Sequence, residues 1–150
     1  MNAQLKPVED FTISAVPPNM VDLVWPQCAP LVQRVIDKAP DDIVLDKVRE
    51  ECAKGDTLLT IVSRETTIIA LNILNVVTLD TGKRVLTIPI IAGDEMPLWM
   101  ERFMEVMKQI AKDYECTAIR GFAAREGWIK LLQPLGYKKL HTVLQYEIEE

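Results

Sequence analysis

The residues of this 150-residue chain that carry reactive or ligating groups are few and scattered. Three cysteines, Cys28, Cys52 and Cys116, stand far apart, none in a Cys-x-x-Cys pair, and His141 is the only histidine. Zinc needs about four clustered nitrogen or sulfur ligands, so the sequence predicts no metal site. An odd set of distant thiols reads as reduced cysteine packed like a small hydrophobe. Trp99 and Trp128 lie at apolar positions of helical runs, where an indole serves packing more often than ligand binding. Met100, Met104 and Met107 follow helical core spacing. His141 falls in an alternating segment and reads as a strand residue, not a base. The catalytic residues are therefore unknown from residue types alone. The densest signal is an acidic turn, Ala92-Gly93-Asp94-Glu95, set between a β-branched run and a helical run.

That turn belongs to the stretch from Lys83 to Tyr137, around which the rest is organised. Arg84-Val-Leu-Thr-Ile-Pro-Ile-Ile91 predicts a strand. Pro97 to Tyr114 predicts a helix, because Met100, Phe103, Met104, Met107, Ile110, Ala111 and Tyr114 recur on one face. Cys116 to Phe122 predicts a second strand, and Glu126 to Leu135 a second helix ending at Gly136. Strand, helix, strand makes two parallel strands with a right-handed crossover. A ligand then belongs at the carboxyl ends of those strands.

The flanks complete one mixed sheet. Met1–Asp10 lack periodicity and read as an irregular arm; Phe11–Val16 predicts a first strand. Pro26–Ala39 predicts a helix with Pro26 in its first turn, and Asp41 or Asp42 caps a second helix running through Ala53 to Gly55. Thr57–Ser63, Thr66–Thr78 and Lys83–Ile91 predict three antiparallel strands joined by Arg64-Glu65 and Asp80-Thr-Gly82. Tyr137–Ile148 alternates and predicts a last strand. The order is β-α-α-β-β-β-α-β-α-β: an α/β (α+β) domain spanning 1–150, with a mostly antiparallel sheet and helices on both faces.

A net charge of −5 and only two small basic clusters, Lys83-Arg84 and Lys138-Lys139, argue against nucleic acid as a partner. The apolar runs are too short for a membrane span. The first residues lack a basic start followed by an apolar segment, so the chain is expected to stay where it is made or to be packaged there.

This order resembles the GNAT fold, that of the Gcn5-related N-acetyltransferases, over roughly Phe11 to Ile148. The supporting residues are Gly55-Asp-Thr-Leu-Leu59, Lys83-Arg-Val-Leu86 with Ala92-Gly-Asp94, and Arg125-Glu-Gly-Trp128 with Leu135-Gly-Tyr137. They look nearest to a divergent phage or prophage branch of GNAT-like proteins.

The resemblance implies an acetyl-CoA site between the fourth and fifth strands. Its pyrophosphate would meet backbone N–H groups of Ile91, Ala92, Gly93, Asp94, Glu95 and Met96, where a helix dipole favours an anion. The family's Gln/Arg-x-x-Gly-x-Gly/Ala motif is degenerate here: one glycine, no basic residue, and two carboxylates. Like charges about 4 Å apart repel by about 1 kcal/mol in water. Asp94 is expected to cap the helix and occupy the same amides, and Pro97 removes a donor. The family's tyrosine acid aligns with Leu132, and its glutamate base with a strand that offers only Asn72 and Asn75. The expectation is a GNAT-fold protein without acetyl-CoA chemistry. It would serve as a binding or structural module, such as one carried in a virion, with protein partners from a phage or from self-assembly. The alternative is an acetyl-CoA-dependent N-acyltransferase with a divergent pyrophosphate loop, and the expected location of the chain is the cytoplasm of the host cell or the virion.

Overall fold

The computed structural model describes residues 11–38, 40–122 and 126–148. The N-terminal arm and Arg125 lie outside the described residues, as do the side chains of Glu126 and Trp128. Five strands form one sheet in sequential order: β1 (Phe11–Val16), β2 (Leu58–Arg64), β3 (Thr67–Thr78), β4 (Arg84–Gly93) and β5 (Ala118–Gly121). β1 to β4 run antiparallel, and β5 joins β4 in parallel. This is the mixed, mostly antiparallel sheet that the β-branched runs predict.

Helices cover both faces. On one lie α1 (Val21–Lys38) and α2 (Leu45–Lys54), around Val21, Cys28, Val32, Cys52, Leu71 and Ile73. On the other lie α3 (Met96–Asp113) and α4 (Glu126–Leu132), over Leu74, Leu86 and Ile88. Met100, Phe103 and Met107 are buried on α3, as their spacing predicts; Leu132 is buried too, and Ile119 only partly.

Several boundaries differ from the sequence reading. α1 begins at Val21, led in by a short 3-10 turn from Pro18 to Met20, so Pro26 and Pro30 both sit inside it. α2 starts at Leu45 after Val44, which makes no side-chain cap; Asp41 and Asp42 stay in the preceding turn. The largest departure is at the end of the chain. Tyr137–Ile148 forms no strand: beyond the half-buried Tyr137 the alternating residues lie exposed, with Leu144 89% and Ile148 80% accessible, and His141 exposed among them. Alternation gives a segment one apolar face, but a strand also requires a neighbour to pair with.

One irregularity shapes the middle of the sheet. Ile73 opposes Ile90 while Asn75 opposes Thr87, so β4 advances three residues where β3 advances two. The extra residue is a β-bulge, which twists and bends the strand. It also flips the alternation: Leu86 and Ile88 face α3, whereas Ile90 and Ala92 pack toward α1.

Candidate functional site

The bulge lies where the pairing of β4 with β5 ends. β4 and β5 pair from Val85–Ala118 to Ile88–Gly121, and there the pairing stops. β4 continues through residues 89–93 with that edge unpaired among the described residues. Pro89 lies within the bulge, beside Ile88 and opposite Leu74, where its missing N–H is tolerated. β5 ends at Gly121, so among the described residues the β4 edge beyond Ile88 lies open at the carboxyl ends of two parallel strands; this open edge is the candidate cleft. Gly121 marks its apex, with the Leu132 side chain about one van der Waals contact above it, 4.0 Å from where a Cβ on Gly121 would stand.

From this open edge β4 leads directly into the acidic turn and the start of α3, which form the mouth of the candidate cleft. Ala92 and Gly93 belong to β4, so the turn is shorter than its sequence suggests. Gly93 has φ +134°, a conformation nearly closed to other residues. A Cβ there would stand 2.4 Å from Ala70 Cα and from Ile69 O, so glycine lets β4 and β3 approach closely. Asp94 N–H then donates to Ile69 O at 3.0 Å. Trp99 Nε1 donates to Asp94 O at 2.8 Å, which closes the turn over α3. Trp99 is thus a core residue with a satisfied indole, 5.7 Å edge-on to Phe103, and not a ligand platform.

The two carboxylates do something other than what the sequence suggests. Asp94 does not cap α3; the N-cap is Glu95, at φ 56°, and it makes no side-chain cap bond. The Asp94 carboxylate instead takes a forked pair of bonds from Arg34 of α1, at 2.9 and 3.2 Å. Glu95 takes a similar pair from Arg64 at the end of β2, at 2.9 and 2.7 Å. Bidentate guanidinium–carboxylate geometry fixes both side chains. Two cations therefore balance two anions at the mouth, and the repulsion expected of a bare Asp-Glu pair is offset. Among the described residues, Glu95 N–H and Met96 N–H find no protein acceptor. These are the amides an anion at a helix start would use.

Both carboxyls titrate below their ordinary range, chiefly through the hydrogen bonds from Arg34 and Arg64. A depressed folded-state value means the stabilisation is present above the unfolded carboxylate range, near pH 4, and is lost as pH falls through the folded values. Arg34 and Asp94 are 54% and 57% exposed, so water and salt screen the gain. Melting temperature is expected to fall below about pH 4 less steeply in an Arg34→Ala, Arg64→Ala double variant than in the parent. Equal acid limbs in the two proteins would remove the ion pairs from the account.

The remaining sequence candidates are inert. Cys28, Cys52 and Cys116 are buried and unpaired by disulfide, and burial pushes the Cys28 thiol up to about 12. Asn72 is fully buried; Thr60 Oγ1 donates to its Oδ1, while its Nδ2 has no protein partner. An amide cannot act as a base. Tyr137 donates its hydroxyl to Met104 Sδ at 3.1 Å, and burial raises its pKa to about 12. Among the described residues, no group of three or more His, Cys, Asp or Glu could hold a metal ion, and no helix is long and apolar enough to cross a membrane. The cleft apex and the two arginines escaped sequence reasoning. Arg34 and Arg64 lie 60 and 31 residues from their partners, and no local pattern joins them.

Solved structures share this architecture. An aminoglycoside acetyltransferase from an uncultured soil metagenomic sample, in complex with sisomicin, superposes with TM-score 0.68 at 11% identity, covering 93% of this chain and 96% of that one. A ribosomal-protein-alanine N-acetyltransferase from Brucella melitensis biovar Abortus gives TM-score 0.68 at 12% identity, over 93% and 99% of the two chains. A GNAT family acetyltransferase from Staphylococcus aureus gives 0.62 at 12%, over 92% and 98%. No family model and no curated protein matches the sequence. The fold is that of the GNAT acetyltransferases, as the order of elements implies.

Proposed function

We propose that this protein holds an acyl-CoA thioester, acetyl-CoA in the simplest case, in the β4–β5 cleft and passes the acyl group to a primary amine. The observation that carries the proposal is that β5 pairing ends at Ile88–Gly121 while β4 runs on to Gly93 with an open edge among the described residues. An unpaired strand edge offers N–H and C=O groups to an extended, amide-bearing ligand. The N–H groups of Glu95 and Met96, at the positive end of the α3 dipole, suit its phosphates. The neutralised Asp94 and Glu95 remove the objection that their charges raise in the bare sequence. Bound there, the thioester supplies an activated acyl carbon. The amine nitrogen forms the new C–N bond as the C–S bond breaks and the thiol departs. Fold likeness adds weight, because the solved structures of this shape include several named acetyltransferases.

The positions that the resemblance matches to an acid and a base supply no proton chemistry. Leu132 and Asn72 hold no titratable proton, so the amine must arrive neutral and release its proton through water. Acetylation of a simple amine, followed by thiol release, is then expected to rise steadily with pH as the amine deprotonates. A bell-shaped profile centred near neutrality would reveal a titrating side chain and overturn this assignment. The net charge of −5 favours a cationic acceptor over an anionic one at encounter. A second reading, a binding module without turnover, is favoured by one observation: the apolar, buried Leu132 walls the cleft apex where an acid would be useful. Thioester binding without thiol release would establish it.

A further inference from the structure

Arg64 stands at the end of β2, within reach of the turn that leads from β4 into α3. Its guanidinium lies over the Phe11 ring, 4.8 Å from the centroid, a cation–π contact that holds the side chain against β1. Phe11 is itself buried, and its carbonyl accepts a bond from Arg102 of α3 at 2.7 Å. From that platform Arg64 forks onto the Glu95 carboxylate. Glu95 is the N-cap of α3, and its carbonyl accepts the Leu98 N–H at 2.9 Å. Its backbone is left-handed, at φ 56°, where a residue other than glycine is uncommon and depends on surrounding contacts. Asp94 differs, because its backbone is already tied to Ile69 O and to the Trp99 indole. A carboxylate at an N-cap is drawn to the first amides of its helix by hydrogen bonding and by the dipole. Here the Glu95 carboxylate is held back toward β2 instead, and the cap bond is absent.

We infer that Arg64 is a positioning residue for the phosphates of the thioester carrier: by holding the Glu95 carboxylate toward β2, it keeps the Glu95 and Met96 N–H groups open to an anion. The inference rests on the thioester reading of the cleft, and it adds a residue that acts through Glu95 and not on the ligand. Released from Arg64, the carboxylate would swing over the same amides, compete with a phosphate for them and repel it. The effect is selective. The open edge of β4 faces away from β2, with β3 between them, so the amide-bearing arm of the carrier does not depend on Arg64.

Calorimetric titration of the whole chain with CoA and with inorganic pyrophosphate is the test. Arg64→Ala is expected to raise both dissociation constants by the same factor, about tenfold. Arg64→Lys keeps a charge but loses the fork, and should fall between. Arg64→Ala combined with Glu95→Gly should return both constants to within about threefold of the parent, because glycine suits the left-handed φ and brings no carboxylate. Cooperative melting of each variant confirms that it folds. Equal binding by the parent and Arg64→Ala overturns the inference. So does a double variant as weak as Arg64→Ala, since Arg64 then meets the phosphates directly or only supports the fold. A larger loss for CoA than for pyrophosphate also overturns it, because the damage then reaches the strand edge. A parent that binds pyrophosphate but not CoA overturns the thioester reading alone, and the same variants read with pyrophosphate decide the role of Arg64. A parent that binds neither overturns both.

Discussion

Replacing Gly93 with alanine is expected to destabilise the protein by roughly 2–6 kcal/mol, adding backbone strain at an unfavourable φ to overpacking. The φ of +134° is one that a side chain scarcely tolerates. The added methyl would also stand 2.4 Å from Ala70 Cα and Ile69 O, and both belong to β3. A flexible side chain could move aside; a central strand cannot without disturbing its ladder. The damage would spread through the cleft mouth, because Asp94 N–H bonds to Ile69 O and Trp99 to Asp94 O. Denaturant unfolding measures the loss directly. A cost below about 1 kcal/mol would mean that β3 and β4 do not approach as closely as described, since surface changes fall in that range.

Phe103→Ala is expected to cost about 3–5 kcal/mol, the range for truncating a large buried aromatic. Phe103 is wholly buried between α3 and the sheet, edge-on to Trp99, with Leu86, Ile88 and Met107 in the same core. Its loss leaves a cavity bounded by rigid strands, which cannot collapse to fill it. Leu98, a near neighbour in sequence, is 56% exposed, and Leu98→Ala should lie within about 0.5 kcal/mol of the parent. Comparable losses at the two positions would place the packed face of α3 elsewhere.

These two positions show how much of the molecule was legible in its sequence. The recurrence of Met100, Phe103 and Met107 was enough to orient α3, because burial of one helical face obeys a period of about 3.6 residues. The parallel β4–β5 pair was legible from the strand–helix–strand order, since a crossover dictates handedness and direction. The fate of Asp94 and Glu95 was not. Next-door carboxylates read as an acidic turn, and the arginines that neutralise them arrive from α1 and β2 through folding alone. The cleft was legible only as a location. The β4–β5 ladder stops beside the bulge in β4, and a bulge is a matter of register that β-branched composition does not encode. The last strand failed for a related reason. Tyr137–Ile148 has the right alternation, but pairing is settled by a partner strand and not by the segment itself.

The central claim is that the parted strands hold a CoA thioester at the start of α3, and calorimetric titration of the protein with acetyl-CoA and with CoA tests it most directly. Saturable binding of both is predicted, with dissociation constants on the order of micromolar, as is usual for enzyme substrates. Their affinities should be similar, because the phosphates and the amide-bearing arm are common to both. No heat of binding for either molecule, in protein that melts cooperatively, would contradict the claim and leave the cleft as a feature of the fold alone.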